Sequence, residues 1–126
     1  MKFSPPFFIA EISANHQGSF TNAKNLIKAA KKYGADAVKL QTYTPDSMTF
    51  NSNKKYFKIK NGLWKNYKLW DLYNDAKTPY EWHKELFLYA KKIGITIFSS
   101  PFDEDAVDLL EKLNTPLYKV SSFELT

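Results

Sequence analysis

Apolar residues recur along the chain in two alternating patterns, one with the period of a helix and one that reads as short buried strands. Ala23, Leu26, Ile27 and Ala30 stand at helical spacing within Thr21 to Tyr33, and Gly34 follows where a left-handed residue closes a helix. The opening threonine is expected to cap that helix. Ala35 to Gln41, with an apolar centre, predicts a buried strand. The same grammar returns 60 positions later, where Ala90-Lys91-Lys92-Ile93-Gly94 repeats Ala30-Lys31-Lys32-Tyr33-Gly34 and Ile95 to Ser99 follows as a strand. Thr78-Pro79-Tyr80-Glu81 predicts a capping box at the start of that second helix, with proline in its first position. A shorter third copy carries Ala106, Val107, Leu109, Leu110 and Leu113 as its stripe, Asn114 in the glycine's place, and Leu117 to Val120 as its strand.

With Phe7 to Ile12 as the opening strand, the order reads β1-α1-β2-α2-β3-α3-β4. Helices alternating with short apolar strands imply an α/β protein with a parallel sheet and right-handed crossovers. Four such units make the N-terminal half of a TIM (β/α)8 barrel. Residues 1–126 are therefore expected to be the N-terminal portion of a single barrel domain, without its C-terminal half. A lone half leaves two strand edges unpaired, which predicts either a piece of a longer enzyme or a half barrel that self-associates. A doubly wound sheet of the dinucleotide-binding type is disfavoured, because no glycine-rich turn follows the first strand.

One stretch breaks the repeat. About three dozen residues rich in Lys, Asn and aromatics separate Gln41 from Thr78, far more than an ordinary βα loop of roughly 2–6 residues. Leu69 to Tyr73 within it predicts a helical turn, and Trp64, Tyr67 and Trp70 are expected to form a satellite cluster or a lid.

Charge narrows the chemistry. The net charge is +5, and all 18 basic residues are lysines, so guanidinium recognition of bases or phosphates is excluded within this chain. Lys54, Lys55, Lys58, Lys60, Lys65 and Lys68 interleave with aromatics in a manner compatible with single-stranded nucleic acid. Polar strand ends account for an anion site more simply, so no nucleic-acid partner is expected. There is no cysteine, hence no disulfide and no thiolate metal site. The apolar run Phe7 to Ala10 is too brief for a signal-peptide core or a membrane span, and a soluble, cytoplasmic protein without a membrane partner is expected.

In a barrel the site lies at the carboxyl ends of the strands. The polar residues found there are Glu11 with Asn15 and His16, Lys39 and Gln41, Ser99 and Ser100, then Lys119, Ser121, Ser122 and Glu124. Lys39 and Lys119 each stand five residues beyond the residue that closes their helix, in equivalent places of two repeats. Two lysines converging on one mouth would hold a phosphate or carboxylate, with neighbouring hydroxyls as uncharged donors. The competing reading pairs each lysine with Glu11, Asp36 or Glu124. Glu11 and Glu124 are candidate proton-handling groups, with structural ion pairing as the alternative. His16 is expected to order its loop or touch substrate, with metal ligation as a lesser alternative, and His83 is expected to serve packing or the surface.

Ile9-Ala10-Glu11 with Asn15-His16 and Gly18, then Gly34 to Thr42, Ser99-Ser100-Pro101-Phe102, and Tyr118-Lys119 with Ser122 and Glu124 resemble the sialic acid synthase family, which includes N-acetylneuraminate, legionaminic and pseudaminic acid synthases. Ser13-Ala14, Thr78 to His83 and Ser122-Phe123-Glu124 look more like the pseudaminic branch, from which Tyr80 departs. The resemblance implies a transferase in cell-surface carbohydrate biosynthesis that condenses phosphoenolpyruvate with an amino sugar aldehyde in an aldol-type, metal-assisted step. It implies Mn2+ or Mg2+ as cofactor, with ligands outside this chain, and a homodimer in which an antifreeze-like domain, also outside it, reaches the partner's site. By position, Lys39, Ser100, Lys119 and Ser122 would hold phosphoenolpyruvate with Gln41 beside them, Glu11 would lie near the metal and aldehyde, and Glu124 would assist proton transfer. The repeat pattern points to Ser99 where the resemblance points to Ser100. The chain by itself is then expected to be inactive. The alternative is a non-catalytic half barrel that binds phosphorylated ligands.

Overall fold

The computed structural model describes residues 5–122, so Glu124 lies outside the described residues. Three parallel strands, β1 (Ile9–Glu11), β2 (Ala37–Thr42) and β3 (Thr96–Pro101), lie side by side in sequence order. Helix α1 (Phe20–Lys32) crosses from β1 to β2. The longer second crossover contains α2 (Pro45–Met48), a 3-10 turn at Lys55–Phe57, α3 (Leu69–Ala76) and α4 (Tyr80–Ile93), and α5 (Glu104–Lys112) follows β3. Successive right-handed crossovers that advance in one direction leave all their helices on one face of the sheet. A doubly wound sheet would instead reverse its strand order.

Strand alternation builds the core. Val38 and Leu40 of β2 and Ile97 of β3 turn toward the helices and pack with Ile27, Leu86, Ala90 and Leu110. All of these but Ile97, at 5%, are fully buried. Burying one such Leu or Ile is worth about 1.5–3 kcal/mol. The opposite face carries Ile9 and Glu11, Lys39 and Gln41, and Phe98 and Ser100, because registered neighbours in a parallel pair share a face.

The helix ends agree with the repeat where backbone conformation decides them. Gly34 (φ 88), Gly94 (φ 71) and Asn114 (φ 53) are all left-handed. Gly94 is the C-cap of α4, and its N–H bonds to the Lys91 carbonyl at 3.2 Å. The space about Gly94 is open, so Gly94→Ala is expected to cost only the conformational penalty, about 1–2 kcal/mol in urea denaturation. A loss below a few tenths would mean that the turn relaxes.

Two predicted caps are corrected. Ser19, not Thr21, caps α1, its hydroxyl accepting from the Asn22 N–H at 3.2 Å, because the helix starts at Phe20 and leaves Thr21 inside its first turn. At α4 the N-cap position falls on Pro79, which has no side-chain donor or acceptor, and Thr78 turns to His16 instead. The predicted fourth strand is also corrected. Leu117 to Val120 makes a single parallel bridge, Tyr118 to Ser99, with the Lys119 N–H on the Ser99 carbonyl at 3.2 Å. It is paired on one side only, and the preceding Pro116 has no N–H to donate. The helical turn at Leu69 to Tyr73 extends to all of α3. Of the three aromatics before and within it, Trp64 and Tyr67 pack together at 5.7 Å between ring centroids, whereas Trp70 donates its indole N–H to Asp46 at 2.8 Å. Among the described residues no helix is long and apolar enough to cross a membrane.

Candidate functional site at the carboxyl ends of the strands

The open face of the sheet concentrates its polar groups near the ends of the three strands. Lys39, half-buried in the middle of β2, forms an ion pair with Glu11, its register partner on β1. Its Nζ also lies 3.5 Å from the Ser100 hydroxyl. The competing reading of a lysine paired with Glu11 is thus realised for Lys39, and Asp36 is engaged elsewhere, accepting from the Phe8 N–H at 2.7 Å.

Ser13, which the sequence reading gave no role, ties the cluster together. Its hydroxyl stands 3.0 Å from both Glu11 Oε1 and Gln41 Oε1, and its N–H donates to Glu11 at 3.1 Å. One hydroxyl proton can satisfy only one of those two acceptors at a time. The left-handed backbone at Ser13 (φ 42) turns the chain back over the end of β1, and a strand-final glutamate followed by such a turn was its only local signal.

Ser99 and Ser100 separate cleanly, since adjacent strand positions face opposite ways. Ser100 shares the face of Lys39, while Ser99 points to the helices and lies 2.6 Å from the Thr42 hydroxyl. Tyr118 likewise turns to the helical side, where its hydroxyl bonds to Glu111 on α5 and is pushed up to about 12 by that carboxylate. Lys119 and Lys39 line one cleft of about 430 Å³, together with Glu11, Ile9, Phe98, Leu117 and Tyr118.

Above this cleft Lys119 also borders a second cavity, of about 440 Å³, whose polar edge is Gln41, Ser121 and Ser122. Its apolar wall includes Tyr43, Tyr73 and Phe102. Sequence reasoning missed this wall, although Tyr43 continues the 39, 41, 43 alternation of β2 and could have been read from it.

Both histidines are fully buried and structural. His16 Nδ1 accepts from the Gly18 N–H at 3.1 Å, which leaves Nε2 to donate to Thr78 Oγ1 at 3.3 Å. The loop-ordering role expected of His16 is what this geometry describes. His83 donates from Nδ1 to the Pro79 carbonyl at 3.0 Å, and its Nε2 accepts from the Thr42 hydroxyl at 2.8 Å. Burial lowers the pKa of both imidazoles, and these bonds suit the neutral ring. Their four ring nitrogens are thus engaged, Glu11 is paired, and among the described residues no three His, Asp or Glu side chains converge as a metal-holding group. The described residues alone therefore do not fit a divalent-metal centre.

A one-sided parallel α/β sheet with a lysine, carboxylate and hydroxyl cluster at its strand ends defines a βα-wound protein of the enzyme-bearing class. Within that class, a family profile described as the NeuB family matches residues 26–126, and the chain belongs to that family. The chain is 57% identical over 118 residues to a pseudaminic acid synthase of Campylobacter jejuni, covering 94% of this chain and 34% of that protein. It is 52% identical to the pseudaminic acid synthase of Helicobacter pylori, covering 96% and 36%. Among solved structures, the N-acetylneuraminic acid synthetase of Leptospira borgpetersenii, in complex with citrate, superposes with a TM-score of 0.78 at 26% identity, covering 96% of this chain and 38% of that one. The chain thus spans about a third of the length of the curated relatives it matches.

Proposed function

We propose that the chain supplies the N-terminal half of a (β/α)8 barrel that condenses phosphoenolpyruvate with an amino sugar aldehyde, forming a carbon–carbon bond, releasing phosphate and yielding a nonulosonic acid of the pseudaminic or sialic type. The observation that carries this reading is the shared cleft of Lys39 and Lys119, with Ser100 beside the first lysine and Ser122 on the cavity that the second also borders. Phosphoenolpyruvate carries a phosphate and a carboxylate, and two ammonium groups with adjacent hydroxyls offer both anions charge-assisted donors. The family membership and the pseudaminic acid synthases among its relatives support the same chemistry.

On this reading the Glu11–Lys39 pair is a resting arrangement. An entering anion competes for Lys39, and Glu11 is released toward the reacting aldehyde with Ser13 still holding one of its oxygens. Gln41, joined to the same hydroxyl, steadies that side of the cleft. Glu124 completes the proposal as a proton-transfer group. The ligands of the Mn2+ or Mg2+ ion belong to residues outside this chain, and so does any contribution from a partner subunit of a homodimer.

Calorimetric titration of the complete gene product with phosphoenolpyruvate, paired with an assay of phosphate release, tests the reading. Lys119→Ala is expected to weaken phosphoenolpyruvate binding about 10-fold, a moderate loss because Lys119 is exposed. Failure of the unmodified protein to bind phosphoenolpyruvate would abolish the proposal.

A further inference from the structure

We infer that a second binding site lies on the helical side of the sheet, in the gap between α4 and α5, and that its ligand is a small amphiphilic anion, an apolar chain ending in a carboxylate. The site is independent of the condensation reading, because the Lys39 cluster occupies the opposite face of the sheet.

The gap is a break in the layer of helices. α4 and α5 both rest on β3 but make little contact with each other, whereas α1 packs directly against α4. The cavity left between them measures about 640 Å³, larger than either cavity at the strand ends. Phe87, Ile95 and Ile97 supply its buried lining, and Leu88 lines it while remaining 52% exposed. An exposed leucine beside buried apolar side chains leaves an apolar strip open to water, which a hydrocarbon chain would cover.

Charge then selects the head group. Lys84, Lys91 and Lys112 line the same cavity and no carboxylate does. None of the three has an ion-pair partner among the described residues. Lys91 and Lys112 stand in the last turns of α4 and α5, where they offset the negative ends of the helix dipoles. Lys84 stands in the second turn of α4, near the end where the dipole disfavours a cation, so neither the dipole nor an ion pair accounts for it. A carboxylate held there would accept charge-assisted bonds from the ammonium groups.

Size separates a small ligand from a protein partner. Lys84, Phe87, Leu88 and Lys91 recur at helical spacing, so α4 presents two turns to the cavity, about 10.5 Å, which a chain of about eight carbons spans. A stable protein interface needs roughly 800 Å² from each partner, and two helical turns fall short of that. The cavity volume lies within the roughly 300–1,000 Å³ usual for small-molecule sites, where an apolar lining with a few polar groups is the rule.

The test is calorimetric titration of the complete gene product with octanoate, 1-octanol and acetate, each below its micellar or solubility limit. Octanoate is expected to bind about 10-fold more tightly than 1-octanol, which lacks the charge, and at least about 100-fold more tightly than acetate, which lacks the chain. Lys84→Gln and Leu88→Gln, both at exposed positions, are each expected to weaken octanoate about 5- to 10-fold with an unchanged urea midpoint. Saturating phosphoenolpyruvate should leave octanoate bound. Absence of saturable octanoate binding, equal affinity for acetate, or an affinity that both variants retain overturns the site. Displacement by phosphoenolpyruvate also overturns it, by putting octanoate in the strand-end cleft. Cosedimentation with anionic phosphatidylglycerol vesicles that Leu88→Gln abolishes would assign the apolar strip to a lipid surface and overturn the free ligand. Failure of phosphoenolpyruvate itself to bind overturns the condensation reading alone, because octanoate is titrated without it.

Discussion

Lys39→Ala is expected to weaken phosphoenolpyruvate binding by at least about 30-fold, a larger loss than any other single substitution in the cleft. The Lys39 side chain is 13% exposed, so water replaces little of its charge once the ammonium is gone. A ligand anion left without that partner keeps most of its desolvation cost. Folding should change little, because Glu11 is 43% exposed and can be solvated when its partner is removed. The distinguishing result is therefore a lost binding isotherm with a retained urea midpoint, measured on one preparation. Equal affinity in Lys39→Ala and the parent at fixed ionic strength would take Lys39 out of the anion site.

His83→Leu is expected to cost about 1–3 kcal/mol of folding stability. Leucine fills a similar volume but removes two hydrogen bonds, each worth about 0.5–1.5 kcal/mol, while the Pro79 carbonyl keeps the Trp82 N–H and the Thr42 hydroxyl keeps Ser99. Thr42 is in turn bonded to Ser99, so the imidazole joins the end of β2, the end of β3 and the entry to α4. Both ends of the long crossover meet at this one side chain.

The same substitution should alter the pH dependence. Burial lowers the folded-state pKa of His16 and His83 below the ordinary 6.5, so between 6.5 and the folded values the unfolded chain binds more protons than the native one. The stabilisation is complete above pH 6.5 and is lost as pH falls through that window, by up to about 1.4 kcal/mol per pH unit for each histidine. His83→Leu should remove the part due to His83 and leave that of His16. Stability that is flat between pH 6.5 and 5 in the parent protein would contradict the buried neutral assignment.

Local periodicity alone settled helices α1, α4 and α5, the three strands and the left-handed closures at Gly34, Gly94 and Asn114. Each of these depends on residues a few positions apart and on backbone sterics that need no distant partner. The sequence also put Lys39 and Gln41 at the end of one strand, where alternation gives them a common face. The tertiary structure decided the rest. It turned Ser100 toward Lys39 and Ser99 toward Thr42, paired Glu11 with Lys39 and joined it to Gln41 through Ser13, reduced Leu117 to Val120 to one bridge, and chose packing over the surface for His83 by bonding it to Thr42 and the Pro79 carbonyl. Such outcomes depend on which face of a strand the helices cover and which distant chain meets it, and the spacing of residues along one segment carries no information about either.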